Sequence, residues 1–102
     1  MHDRITPQSA AAMVAKAGGQ RWVTIFKKGS LELEYYAPVK TDPQLPHTRD
    51  EVYFVISGHG EFVIDGQRRP FGPGEVIHAP PGVPHRFEKF SEDFATWAIF
   101  AG

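Results

Sequence analysis

The chain has 102 residues, with 11 basic against 12 acidic side chains and a formal net charge of −1. A 41 % hydrophobic and 13 % aromatic composition is that of one folded domain with a modest core and excludes disorder. The balanced charge offers no footprint for nucleic acid or an anionic membrane, and the absence of cysteine excludes disulfides, thiolate catalysis and sulfur-ligated metals. Any metal must sit on nitrogen and oxygen. Met1-His2-Asp3-Arg4 lacks the apolar core of a signal peptide, and nowhere do about 18 apolar residues run together, so a cytoplasmic protein without membrane spans is expected.

Thr6-Pro7-Gln8-Ser9 reads as a helix start, Thr6 as N-cap and Pro7 at the first helical position. Ala10 to Ala17 continue the helix and Gly18-Gly19 stops it. Its apolar face (Ala10, Met13, Val14, Ala17) is short, which suits a lid or interface element lying on the body. From Arg21 the pattern becomes that of strands: Arg21 to Lys27, then Leu31 to Ala37 with alternating apolar and polar residues. Pro38, Pro43 and Pro46 keep the stretch up to His47 irregular. Further strands are expected over Glu51 to Ile56, Glu61 to Ile64, Glu75 to Ala79, His85 to Phe90 and Phe94 to Phe100. Asp65-Gly66 makes a hairpin turn and Gly72-Pro73-Gly74 a second turn. About eight short, closely spaced strands predict an all-β sandwich or barrel, with residues 1–20 as a helical segment and 21–102 as a single β domain.

His47, Glu51 and His85 make a two-histidine, one-carboxylate set, which suits a divalent transition metal with open coordination positions. In an extended strand, residues four apart are separated by roughly 13 Å, at about 3.3 Å per residue. His47 and Glu51 can therefore share a metal only if Thr48-Arg49-Asp50 bend. His85 heads a strand just after the Pro80-Pro81-Gly82 turn, and alternation puts it on one face with Phe87, opposite Arg86 and Glu88.

Four more residues are candidates for ligand contact. His78 has the parity of Val76, which makes it an interior fourth ligand or proton shuttle, or else an edge histidine. Arg49, in the bend, suits a substrate carboxylate, or else pairs with Asp50. Tyr53 and Phe87 line the cavity or fill the core. Trp97 with Ile99 is packing, and His2 and His59 are surface residues.

With these residues in place, the chain resembles a cupin, a small jelly-roll β-barrel family. The family's first motif, G-x5-H-x-H-x3-4-E-x6-G, is matched by Glu51 and Gly58, with His47 at the second histidine. Its second motif, G-x5-P-x-G-x2-H-x3-N, is matched by Gly74, Pro80, Gly82 and His85, and fifteen residues separate Gly58 from Gly74. Leu45 stands where the family has its first histidine, Val39 where it has its opening glycine, and Lys89 where it has the final asparagine. The stretch from Asp42 to Tyr53 also resembles a single-domain cupin subgroup without assigned activity.

The resemblance implies a cupin-type jelly-roll barrel and a homodimer. It also implies a divalent metal (iron, zinc, nickel or manganese) on His47, Glu51 and His85, with Gln44 as a possible substitute for the missing ligand. A small-molecule ligand and dioxygenase or isomerase chemistry follow from it. The competing expectation is a non-catalytic module for a sugar or organic acid, with weak or no metal binding.

Overall fold

The computed structural model describes residues 4–44 and 46–102. The expectations for His2 and Leu45 therefore lie outside the described residues. The first element, α1, covers Pro7–Ala15. Thr6 caps it, its hydroxyl accepting from Ser9 N–H while the Ser9 side chain returns the bond to Thr6 N–H. The helix stops at Lys16, earlier than Gly18-Gly19 alone implied, so Ala17 falls outside it. Among the described residues, no helix is long and apolar enough to cross a membrane.

Among the described residues eight strands follow: β1 Trp22–Lys28, β2 Leu31–Tyr36, β3 Asp50–Ser57, β4 Gly60–Ile64, β5 Gln67–Phe71, β6 Val76–Ala79, β7 His85–Glu88 and β8 Ala95–Ala101. They form a five-stranded sheet, β1-β2-β8-β3-β6, and a three-stranded sheet, β5-β4-β7, with every pairing antiparallel. The two sheets face each other across an aromatic core. Tyr53 of the larger sheet stacks edge-on to Phe62 and Phe87 of the smaller, and Phe71 and Phe94 continue the layer. This is the expected all-β jelly roll. Its hydrogen bonding does not run round the barrel, because β5 and β6 each end a sheet.

The outer face of the large sheet carries a second cluster. Ala10 and Val14 of α1 pack there with Tyr35, Ala37 and Ala95, and Val23, Ile25, Ile56 and Trp97 surround them. The helix thus covers the face turned away from the aromatic core and is no lid over the interior. Beyond its reach the same face leaves Phe54 and Val76, a register pair, exposed.

Two turns show why particular residues are required. Asp65 and Gly66 both have positive φ (50° and 78°), which is what a two-residue hairpin between right-twisted strands demands. Gly58, at the β3–β4 turn, has φ +85°, and a Cβ there would lie 2.5 Å from Phe94 Cα and 2.8 Å from Phe94 N. Only glycine fits at that position.

Candidate metal centre

The register of the sheets decides which side chains enter the interior. Glu51, Tyr53 and Val55 of β3 point inward and are almost wholly buried. Their β6 partners, Ala79 opposite Glu51 and Ile77 opposite Tyr53, must share that face. His78 pairs with Val52 and belongs to the outer face, as Val76 does. The shared parity of His78 and Val76 holds, and of the two alternatives for His78 the register gives the edge histidine, not the interior ligand. His78 is exposed and bonds Asp50 Oδ1 at 2.7 Å, so the interior position proposed for it is corrected.

His47 reaches Glu51 because residues 48 and 49 bend. The bend is fastened by the histidine itself, whose Nδ1 donates to the Arg49 carbonyl at 2.8 Å. His85 enters at the start of β7, its Nδ1 donating to the Val83 carbonyl at 2.9 Å. It faces inward with Phe87, while Arg86 lies exposed on the opposite face. With both Nδ1 atoms committed to carbonyls, each neutral imidazole presents a bare Nε2 lone pair. Both lone pairs aim at one oxygen: Glu51 Oε1 lies 2.5 Å from His47 Nε2 and 3.3 Å from His85 Nε2. The potential ligand atoms of the three residues lie within 4.8 Å of one another.

Acceptors facing acceptors need something positive between them. Burial alone would depress the His85 imidazole, but the hydrogen bonds to Glu51 and the Val83 carbonyl, together with the charge of Glu51, hold it above its ordinary value. Glu51 Oε2 is buried and has no hydrogen-bond partner among the described residues. A divalent cation would satisfy this oxygen and both lone pairs at once, so the donor set fits a metal.

Tyr53 completes the inner surface. Its hydroxyl lies 2.8 Å from Glu51 Oε1, 2.6 Å from Gln44 Oε1 and 3.1 Å from His85 Nε2. Burial, reinforced by the adjacent Glu51 charge, raises its pKa well above the ordinary tyrosine value, so it remains a proton donor. Gln44 therefore meets the cluster through Tyr53. Phe87 is core: it contacts Tyr53, Phe62, Phe71 and Phe94 and is buried away from solvent. Arg49 pairs neither with Asp50 nor with an open site. Its guanidinium binds Glu32 at 3.0 Å and stacks over Phe100, whose ring also meets His47 edge-on at 5.2 Å.

Two further acidic residues stand near the site, and no local sequence pattern singles them out. Asp42 is buried in the proline-rich stretch. Its Oδ1 accepts from the Tyr36 hydroxyl (2.5 Å) and Gln44 N–H, and its Oδ2 from Phe87 N–H (2.9 Å). It therefore ties the loop before His47 to β2 and to β7. Asp42→Ala would strand the Phe87 N–H and the Tyr36 hydroxyl in the interior and should cost about 2–4 kcal/mol. Urea unfolding measures this, and a loss under about 1 kcal/mol would mean that water replaces the carboxylate.

The second is Glu34, which shares the inner face of β2 with Glu32 and Tyr36. Burial, its hydrogen bond to Glu32 and the charges of Glu32 and Glu51 push its carboxyl up to about 7, against a small opposing pull from Arg49. The folded state therefore prefers protonated Glu34. Its contribution to stability is present below about pH 4.5 and is lost as pH rises to about 7. Glu32, whose burial is outweighed by its bonds to Glu34 and Arg49, is held low and titrates beneath this window. The group is only half-buried, so solvent screening keeps the effect modest. Melting curves across this range should show a fall in the wild type that Glu34→Gln removes. The signal in sequence was the alternation Glu32, Glu34, Tyr36, which marks the polar side of β2 but not that this side faces inward.

The family pattern described as a cupin domain matches residues 32–99, two thirds of the chain. The chain belongs to the cupin family. This cupin is 39 % identical over 61 residues to an uncharacterized protein of Streptomyces coelicolor, covering 60 % of this chain and 58 % of that protein. It is 48 % identical over 46 residues to an acireductone dioxygenase of Bacillus subtilis, covering 40 % of this chain and 26 % of the enzyme. The matched region is thus less than two thirds of either curated relative. Among solved structures, a cupin 2 conserved barrel domain protein of Salinispora arenicola superposes with a TM-score of 0.75 at 22 % identity. It covers the whole of this chain and 89 % of its own, and at that identity the likeness speaks for the fold alone.

Proposed function

We propose that this cupin holds one divalent transition metal on His47, Glu51 and His85 and uses it in dioxygenase-type chemistry on a small molecule. The observation that carries the reading is the convergence of two Nδ1-anchored imidazoles on a buried carboxylate, one of whose oxygens has no hydrogen-bond partner among the described residues. When bound, a metal with three protein ligands supplies open positions for a small oxygen-donor substrate and for O₂. The likeness to a stretch of the Bacillus subtilis acireductone dioxygenase supports this class. The chain's own part is to orient the ligands, to exclude water with the aromatic layer below them, and to keep a protonated phenol, Tyr53, against Glu51.

The test is elemental mass spectrometry on protein purified without chelator, beside His47→Ala/His85→Ala. About one equivalent of metal in the wild type, absent from the double variant, is the expected result. No metal in the wild type even after loading with Fe(II) would overturn the proposal and favour a non-catalytic module for a small organic ligand.

A further inference from the structure

The two sheets part where β5 and β6 face each other without hydrogen bonds, and a cleft of about 390 Å³ opens there. Its floor is apolar: Phe62, Ile64, Phe71 and Ile77 line it, and two polar side chains of β5, Gln67 and Arg69, stand on its wall. Strand parity explains their presence. Phe71 is core, so Gln67 and Arg69, two and four residues earlier, share its inward face. Arg68, on the opposite face, is bound by Glu61 and Glu88, both at 2.7 Å. Arg69 has no carboxylate within 4.0 Å among the described residues.

Glu75, which also lines the cleft, is turned to the Gly72 N–H at 2.7 Å, and His78 at the rim is taken by Asp50. A cation on the wall of a cleft with an apolar floor, exposed and with no carboxylate within 4.0 Å among the described residues, is complementary to an anion with an apolar body. We propose that the β5–β6 cleft binds a small carboxylic acid, its carboxylate on Arg69 and its apolar part on Phe62, Ile64, Phe71 and Ile77. The carboxylate-binding role that the sequence suggested for Arg49 belongs here, since Arg49 is held by Glu32. None of His47, Glu51 and His85 lines the cleft, so the proposal stands apart from the metal reading. The two places are nonetheless adjacent: Ile64, on the cleft floor, is the register partner of His85.

The experiment is an NMR titration of the metal-free full chain with benzoate and with its neutral counterpart benzamide, in the wild type, Arg69→Gln and Arg68→Gln. Benzoate should shift the signals of Phe62, Ile64, Phe71 and Ile77 saturably and bind the wild type about tenfold more tightly than benzamide does. Arg69→Gln should abolish that preference, and Arg68→Gln should leave it intact. Equal binding of the two probes would overturn the proposal, as would no saturable shift at these residues. Arg69 would then serve only as a charge that guards an open sheet edge. Because the protein is metal-free throughout, such a failure leaves the metal centre untouched.

Discussion

Glu51→Gln is expected to stabilise the metal-free protein at alkaline pH, by about 0.5–2 kcal/mol, while lowering its affinity for a divalent metal by about 100-fold or more. The two effects share a cause. Glu51 is wholly buried, its Oε1 faces two imidazole nitrogens and the Tyr53 hydroxyl, and its Oε2 has no hydrogen-bond partner among the described residues. An anion so placed is costly unless a cation joins it. The amide of glutamine carries no charge, and its nitrogen can donate to a neutral Nε2, which a carboxylate oxygen cannot. The same amide is a poor partner for a transition metal. Thermal melts in chelator and a competition titration with Zn(II) read the two halves separately. A metal-free variant destabilised by more than about 1 kcal/mol would make Glu51 a structural anchor, and unchanged Zn(II) affinity would remove it from the ligand set.

Gly58→Ala should cost about 3 kcal/mol or more, enough to unfold a large share of a chain this size. The left-handed backbone at φ +85° accounts for about 1–2 kcal/mol of this. The remainder comes from a methyl group placed 2.5 Å from the backbone of Phe94, where no side-chain rotation can relieve it. Gly74→Ala is the internal control. Its φ is +83°, but nothing lies within 4 Å of the added atom, so about 1 kcal/mol is expected. Chemical denaturation of both variants tests the comparison, and equal losses would show that conformation alone, not the Phe94 contact, fixes Gly58.

Much of the architecture was legible because its signals are local. Thr6-Pro7 at the helix start, Asp65-Gly66 at the hairpin and the strand alternation from His85 to Glu88 all act within a few residues. The bend that brings His47 to Glu51 was legible as a geometric necessity. The face that each strand turns inward was less so, because a period of two fixes parity but not its sign. For that reason the sequence leaves His78 open between interior and edge, and nothing in the acidic side of β2 says that it faces inward. Asp42 was illegible in principle: its partners lie on β2 and 45 residues away on β7, and no local pattern announces such a clamp. Lys89, where the family carries asparagine, has φ +51°, a backbone state that asparagine tolerates better than most residues. That departure from the motif therefore concerns chain geometry more than chemistry.

Glu51 comes from the large sheet, His85 from the small one, and His47 from a loop that Asp42 fastens to both. Because Glu51 and His85 belong to different sheets, neither sheet alone presents the complete donor set. Any ion bound by all three would act as a rivet between the layers, and occupancy would be all-or-none with their docking. Bound metal would then count assembled molecules: a variant that loosened the sheets anywhere along the aromatic layer would shed its ion, even with all three ligands unchanged.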